Sequence, residues 1–386
     1  MFRLEELNYH ATLKDFIKQI ANVLLSTCGR RNVVALLLTG SGGRGELTIL
    51  ETPRGYEILG DLEFIVISKK KPSILRKNIL RWIIEDKIRH FPFVSESFHV
   101  DFSIINLEAL KKVDTVLMWE TLTNSCILYG NLPFDNIQKQ HLGERKIRLK
   151  DIHNILLYRH YSVFWVIRKC KTHQCRSYSV IRNSLDLLTA ILYKNGIFIP
   201  SYRKRYDYLK KHSFEILPHW KKEDIENFVS FIGKCTFLKL EPSYESFIND
   251  QALYGMLEKY LFFSEMILLD FLKDFFKCNN KIECFNKFLN TRGFFEKGIN
   301  SFGFLKFFIW NIKNIPVSFL ASNFPIELLY ALMHIQLCEK ANYKSELLQE
   351  ISGKNITLDE KMIERIYKYY FPYVRYLKIR RRNSDG

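Results

Sequence analysis

An apolar run, Val33 to Leu38, ends directly in Thr39-Gly40-Ser41-Gly42-Gly43-Arg44-Gly45-Glu46. The next two β-branched and aromatic runs both carry acids: Asp61-Leu62-Glu63 at the head of one, and Asp101 within Val100-Asp101-Phe102-Ser103-Ile104-Ile105 in the other. Burying a carboxylate costs several kcal/mol unless a cation neutralises it, and no Lys or Arg lies within these runs. The pattern predicts a phosphate-sized glycine turn beside three carboxylates that need cations from elsewhere. A metal-nucleotide site satisfies both halves of it, provided the acids converge and are not each paired with their own lysine or arginine.

The surrounding pattern sets the fold class. Leu13, Phe16, Ile17, Ile20, Val23 and Leu24 recur at helical spacing over residues 12–27, and Val33 to Leu38 suits a buried strand. Leu62 to Ile67 and Phe98 to Ile105 read as further strands, separated by a Lys/Arg-rich amphipathic stretch over about 73–89. From about residue 140 strand signals fade and helical periods take over, at Ile152 to Ile167, Tyr178 to Tyr193, Ile225 to Cys235, Gln251 to Phe276 and Ser345 to Tyr370. The expectation is an α+β chain: a small mixed β-sheet domain with flanking helices over 1–135, a larger all-α domain over 136–372, and a basic tail over 373–386.

Two familiar phosphate-binding patterns fail on context. Gly40-Ser41-Gly42-Gly43-Arg44-Gly45 fits G-x-G-x-x-G, but a dinucleotide turn opens into a long helix and finds its acid at the end of the second strand. Here Pro53, Gly55 and Gly60 break up the stretch after the turn, and Asp61 starts a strand; no Lys-Ser/Thr pair comes after the glycines, which excludes Walker A. Asp61 and Glu63, two apart on a strand, share a face at about 6–7 Å between Cα atoms, with Leu62 and Phe64 on the other side. Asp101 shares its own face with His99 and Ser103. Three acids from adjacent strands are hard ligands that suit Mg²⁺; two such ions would clamp both oxygens of an in-line displacement, with Mn²⁺ as the alternative metal.

Strand, Gly-Ser with a trailing Arg-Gly, Asp-x-Glu, then one more acid on a later strand: this order resembles the nucleotidyltransferase superfamily typified by DNA polymerase beta, in particular its bacterial minimal and aminoglycoside nucleotidyltransferase branch. The resemblance covers about the first 135 residues. It implies a nucleotidyltransferase that takes a nucleoside triphosphate, with Gly40 and Ser41 holding the triphosphate and Asp61 and Glu63 ligating the metals. Asp101 would complete the metal site and orient or deprotonate the acceptor hydroxyl. Arg44 would sit near the phosphates or support the loop. Two departures stand out: Glu63 replaces the commoner Asp, and 19 residues separate Ser41 from Asp61, which an inserted hairpin at about 47–60 would explain. The helical part resembles the acceptor-choosing additions of this superfamily. A small molecule such as a sugar phosphate or antibiotic is the first expectation for the acceptor, then RNA or a protein side chain, with a non-catalytic nucleotide-binding protein as the rival.

Charge is uneven along the chain. Of the 58 Lys and Arg and 41 Asp and Glu, residues 1–135 hold 17 and 16, so 41 against 25 fall in 136–386 and nearly the whole net charge of +17 lies there. That surplus either draws in an anionic partner, RNA included, or reflects the base composition of the gene. The apolar stretches are interrupted by charge or proline, which argues against a transmembrane segment. The acidic opening Met1-Phe2-Arg3-Leu4-Glu5-Glu6 and the scattered cysteines point to a cytoplasmic protein with reduced thiols. Only Cys170-Lys-Thr-His173-Gln-Cys175 is clustered; zinc would need a fourth ligand, for which His160 is nearest, and the cluster reads as ordinary helix surface. Oligomeric state is not encoded in any of these features.

Overall fold

The computed structural model describes residues 3–53, 55–70, 74–93, 95–107, 124–131, 149–290 and 325–348. The boundary expected near 131–150, the helix expected over Ser345 to Tyr370 and the basic tail fall mostly or wholly outside them.

The fold is α+β, as the periodicities imply. Helix α1 (Ala11–Cys28) leads into β1 (Val33–Thr39), the short helical turn α2 (Gly40–Gly43), β2 (Thr48–Thr52), β3 (Gly55–Leu59), β4 (Asp61–Ser68), α3 (Ile74–Arg89), β5 (His99–Asn106) and β6 (Cys126–Gly130). Among the described residues beyond β6 the elements are helical: α4 (Leu149–Lys169), α5 (His173–Lys194), α6 (Tyr202–Ile216), α7 (Lys222–Leu240), α8 (Tyr244–Ile248), α9 (Asp250–Phe276), α10 (Lys281–Asn290) and α11 (Pro325–Ala341).

Four strands form one mixed sheet in the order β5-β4-β1-β6, with β4 and β5 parallel and the other pairs antiparallel. The parallel pair needs a crossover, and α3 provides it. β2 and β3 make a separate antiparallel hairpin, which accounts for the long spacing between Ser41 and Asp61. β1 reads as a continuous apolar run because both its faces are covered. Leu36 and Leu38 pack with Leu62, Phe64 and Val66 of β4 and with α1, where Leu13, Phe16, Ile17, Ile20 and Leu24 form the buried stripe. Each such side chain contributes roughly 1.5–3 kcal/mol by leaving water. On the opposite face Ala35 and Leu37 pack with Ile65 and Ile67, and Ile105 lies against them. Strand alternation carries that second face onward through residues 63 and 61 of β4 and 101 and 99 of β5.

The described chain divides into two compact units: Met1–Ile152 with Val166–Leu253, and His153–Trp165 with Tyr254–Gly386. The first joins the sheet to α5, α6 and α7. Helix α5 is buried along nearly its whole length from Cys175 to Tyr193, as befits a helix enclosed on all sides. In the second, His160 packs its ring on His334 and Tyr260, and Glu265 accepts from Ser345 and meets His334 at 3.2 Å. Among the described residues no helix is long and apolar enough to cross a membrane.

Candidate functional site

The acids meet because of register. In the parallel pair Asp61 lies beside His99 and Glu63 beside Asp101, while Thr39 at the end of β1 lies opposite Glu63. Glu63 lies within reach of the negative charge of Asp61, and its carboxylate rests against Gly40, whose φ of +62° and missing Cβ make the approach possible. His99 brings Nε2 to 3.7 Å from Asp61 Oδ2 and 3.3 Å from Asp101 Oδ2. Arg182, from α5, places Nη2 3.5 Å from the same oxygen of Asp61. Asp61, His99 and Asp101 offer ligand atoms that all lie within 4.8 Å of one another.

Among the described residues neither Glu63 nor Asp101 makes an ion pair with a lysine or arginine; Arg182 meets Asp61, and the His99 imidazole reaches both Asp61 and Asp101. The electrostatics register the crowding of acids. Burial, and after it the negative charge of Asp61, pushes the Glu63 carboxyl up to about 7 against the pull of Arg182. Burial disfavours charge on His99, but the hydrogen bond to Asp101 and the charges of Asp61 and Asp101 outweigh it and raise its pKa. Asp61 holds the Arg182 guanidinium well above its ordinary value. Oxygen-rich, charge-deficient and partly open, this donor set fits a divalent cation.

The glycine turn is held from three sides. Glu46 N–H donates to Ser41 O at 2.9 Å, closing the turn, and Tyr9 Oη donates to Gly42 O at 2.8 Å. A Cβ on Gly43 would collide with the Leu38 carbonyl. Arg44 Nε donates to Glu46 Oε2 at 2.9 Å, and its guanidinium lies over the Tyr202 ring. Glu46 also accepts from Ser201 Oγ at 2.7 Å and Tyr202 N at 3.1 Å, so the start of α6 is tied to the end of the turn.

Helices α5 and α7 complete this frame. Lys239, fully buried, donates Nζ to Glu46 O at 3.1 Å and Thr48 Oγ1 at 3.0 Å, while Thr48 Oγ1 lies 2.9 Å from the Lys239 carbonyl. Burial, then the charge of Arg182, pushes its amine down to about 7. Tyr178, one helical turn before Arg182, presses its hydroxyl against Gly60, the residue before Asp61. Gly60 has φ +110° and no space for a side chain. Arg205 is buried with Nη1 2.7 Å from Thr189 Oγ1, between the Tyr193 and Tyr202 rings. In the run Tyr202-Arg203-Lys204-Arg205, Arg203 and Lys204 are exposed, while Tyr202 and Arg205 belong to the interior.

No family model matches the chain, and no curated protein matches it. A crystal structure of spectinomycin adenyltransferase from Enterococcus faecialis with ATP and spectinomycin is similar at 14% identity and TM-score 0.33, over 57% of this chain and 98% of that one. A likeness at this level fixes neither activity nor substrate.

Of the residues singled out in the sequence, Asp61, Glu63 and Asp101 come together, Gly40 touches Glu63, Ser41 closes the turn, and Arg44 faces Glu46 and Tyr202 rather than the acids. His99 was on the right face but without a role, and Arg182, Tyr178 and Lys239 carry no linear signal, being more than a hundred residues from Asp61 and Glu63. The cysteine cluster differs from its expectation of reduced thiols: Cys170 and Cys175 form a disulfide across Cα atoms 6.0 Å apart, and the other six cysteines are buried thiols outside any disulfide. A zinc set is not assembled there. His173 turns to Asp250 at 2.9 Å. Glu96, which approaches both sulfurs, already accepts from Lys171 N, Thr172 N and Thr172 Oγ1.

Proposed function

We propose that the chain is a nucleotidyltransferase of the polymerase beta-like superfamily, moving a nucleoside monophosphate from a nucleoside triphosphate to an acceptor hydroxyl or phosphate and releasing pyrophosphate. One observation carries the reading: Asp61, Glu63 and Asp101, from two paired strands, crowd together beside a glycine turn, and among the described residues neither Glu63 nor Asp101 makes an ion pair with a lysine or arginine. Asp61, Glu63 and Asp101 would hold divalent cations, which when bound screen the carboxylates from the polyphosphate and favour charge development on the leaving group.

The chain's own residues supply position and proton traffic. Gly40 and Ser41 would cradle the phosphates, in a turn that Tyr9 and Glu46 hold at Ser41 and Gly42. An acceptor oxygen bonds to the α-phosphorus as the bond to the bridging oxygen of pyrophosphate breaks, and Asp101, the more open of the acids, takes the proton of a hydroxyl acceptor. Arg44 keeps the turn in shape through Glu46. The boundary at 135/136, with helices beyond it choosing the acceptor, is part of the same proposal. A small molecule such as a sugar phosphate or antibiotic is the first choice of acceptor. RNA is the second, favoured by the basic surplus beyond residue 135.

Divalent-dependent pyrophosphate release with each of the four nucleoside triphosphates tests the chemistry, wild type against Asp61→Ala and Glu63→Ala, with labelled nucleotide and a cell extract to trap the acceptor. Release by wild type alone supports transfer. Equal silence from all three proteins with nucleotide still bound makes the chain a binding module. RNA binding that weakens steeply with salt keeps RNA as an acceptor, and a flat or absent response removes it.

A further inference from the structure

Resting on the metal-site reading above, we propose that His99 is itself a metal ligand, making the site a mixed nitrogen and oxygen one that selects Mn²⁺-like ions over Mg²⁺. The parallel register sets His99 beside Asp61 at the head of β5, two residues before Asp101 and on the same face. Its Nε2 lies between an oxygen of Asp61 and an oxygen of Asp101. The other ring nitrogen is committed: Nδ1 lies 3.1 Å from the Ser97 carbonyl oxygen, an acceptor only, so Nδ1 carries a hydrogen and donates it. A backbone carbonyl behind Nδ1 fixes the tautomer whose Nε2 lone pair is available, and this kind of support from behind the ring accompanies ligating histidines generally. Nε2 and the two carboxylate oxygens lie close enough together to share one cation. The imidazole is also partly exposed, so an ion reaches it from solvent.

The choice of ion rests on the donors. Carboxylates alone suit Mg²⁺, which dehydrates reluctantly and takes oxygen. Imidazole adds little for Mg²⁺ but binds first-row transition ions well. A purely structural His99, clamping β5 to β4 through Asp61, would be replaced by any side chain able to hydrogen bond and would leave no nitrogen on the metal.

Pulsed EPR of the full chain with Mn²⁺, together with calorimetric titrations of Mn²⁺ and Mg²⁺ into wild type, His99→Asn and Asp61→Asn, separates these cases. Imidazole ¹⁴N coupling to Mn²⁺ is expected in wild type and lost in His99→Asn, with Mn²⁺ affinity falling on the order of tenfold and Mg²⁺ affinity falling less. Mn²⁺ binding without nitrogen coupling, or equal weakening of both ions in His99→Asn, overturns the assignment. In that event loss of both ions in Asp61→Asn leaves the carboxylate site standing, whereas unchanged binding in Asp61→Asn removes the nucleotidyltransferase reading as well. The wild-type spectrum decides the nitrogen question even if His99→Asn does not fold.

Discussion

Glu63→Gln should stabilise the metal-free protein at alkaline pH and do nothing at acid pH. In the folded chain the Glu63 carboxyl titrates at about 7 instead of 4.5, because it is buried beside Asp61. A group whose folded pKa is raised contributes fully below its unfolded value, and that contribution fades as pH rises through the folded value. Between pH 4.5 and about 7 the wild type therefore loses stability from this side chain, and above about 7 the loss is complete. A shift of roughly two and a half units corresponds to about 3 kcal/mol at 1.36 kcal/mol per unit, an upper figure since Glu63 is only partly buried by its surface. Gln is nearly isosteric with the protonated acid and keeps a donor toward Asp61, so the variant lacks this slope. Urea unfolding with EDTA at pH 4 and pH 8 measures it. The variant-minus-wild-type difference should be near zero at pH 4 and favour the variant by roughly 1–3 kcal/mol at pH 8, and the difference should shrink when Mn²⁺ or Mg²⁺ is added. Comparing variant with wild type cancels most of the His99 contribution, which runs in the same direction. A pH-independent difference, or a variant less stable at pH 8, would show that Glu63 is not held in a surplus of negative charge.

The same geometry makes three further outcomes testable. Asp61→Asn and Asp101→Asn should each lower transfer at least about hundredfold while leaving the circular dichroism spectrum unchanged, since both lie near a strand head outside the apolar clusters. Gly60→Ala should cost about 2 kcal/mol or more through its positive φ and the Tyr178 hydroxyl; in thermal unfolding, pairing it with Tyr178→Phe should recover the part due to the hydroxyl and leave the backbone part, and full additivity would refute the contact. Lys239→Met should remove a rise in stability that wild type shows as pH climbs from about 7 toward 10.5, the window set by a lysine pKa pushed down to about 7. It should also cost roughly 1–3 kcal/mol for the Glu46 carbonyl left without its donor, both read from unfolding midpoints across that pH range.

The sheet and its acids were legible because each signal is local. β1 announces itself as an apolar run stopped by glycine, and the two-residue spacing of Asp61 and Glu63 fixes their shared face whatever the rest of the chain does. The long gap after Ser41 pointed to the hairpin of β2 and β3. What could not be read was which strands pair. Only the parallel register of β4 with β5 turns His99 from a same-face neighbour of Asp101 into a partner of Asp61, and pairing of that kind depends on a crossover helix rather than on any short motif. Arg182 and Lys239 were invisible for a related reason: in sequence they are ordinary cations on helical stretches, and nothing in α5 or α7 marks one lysine or arginine as buried. Gly60 left a partial clue, since a glycine just before a functional acid signals a close approach, but only the fold identifies Tyr178 as the side chain that makes it.

That distribution bears on how the site works. The residues that stand ready to exchange partners, Asp61, Glu63, Asp101, His99 and Arg182, are joined by long or shared contacts of 3.3–3.7 Å where distances are fixed. Those behind them are joined by short ones: Glu46 to Ser201 at 2.7 Å and to Arg44 at 2.9 Å, Arg205 to Thr189 at 2.7 Å. A frame satisfied in this way can hold the glycine turn and the head of β4 fixed, and on the proposed reading it would stay so while ions and the guanidinium rearranged, because no frame residue would need to give up a bond. Arg182 is the member that spans both sets, reaching Asp61 from a helix anchored by Tyr178 at Gly60. On the nucleotidyltransferase reading proposed above, a cation held by the acids would repel Arg182 and weaken its hold on Asp61, and the guanidinium would then be free to meet a polyphosphate.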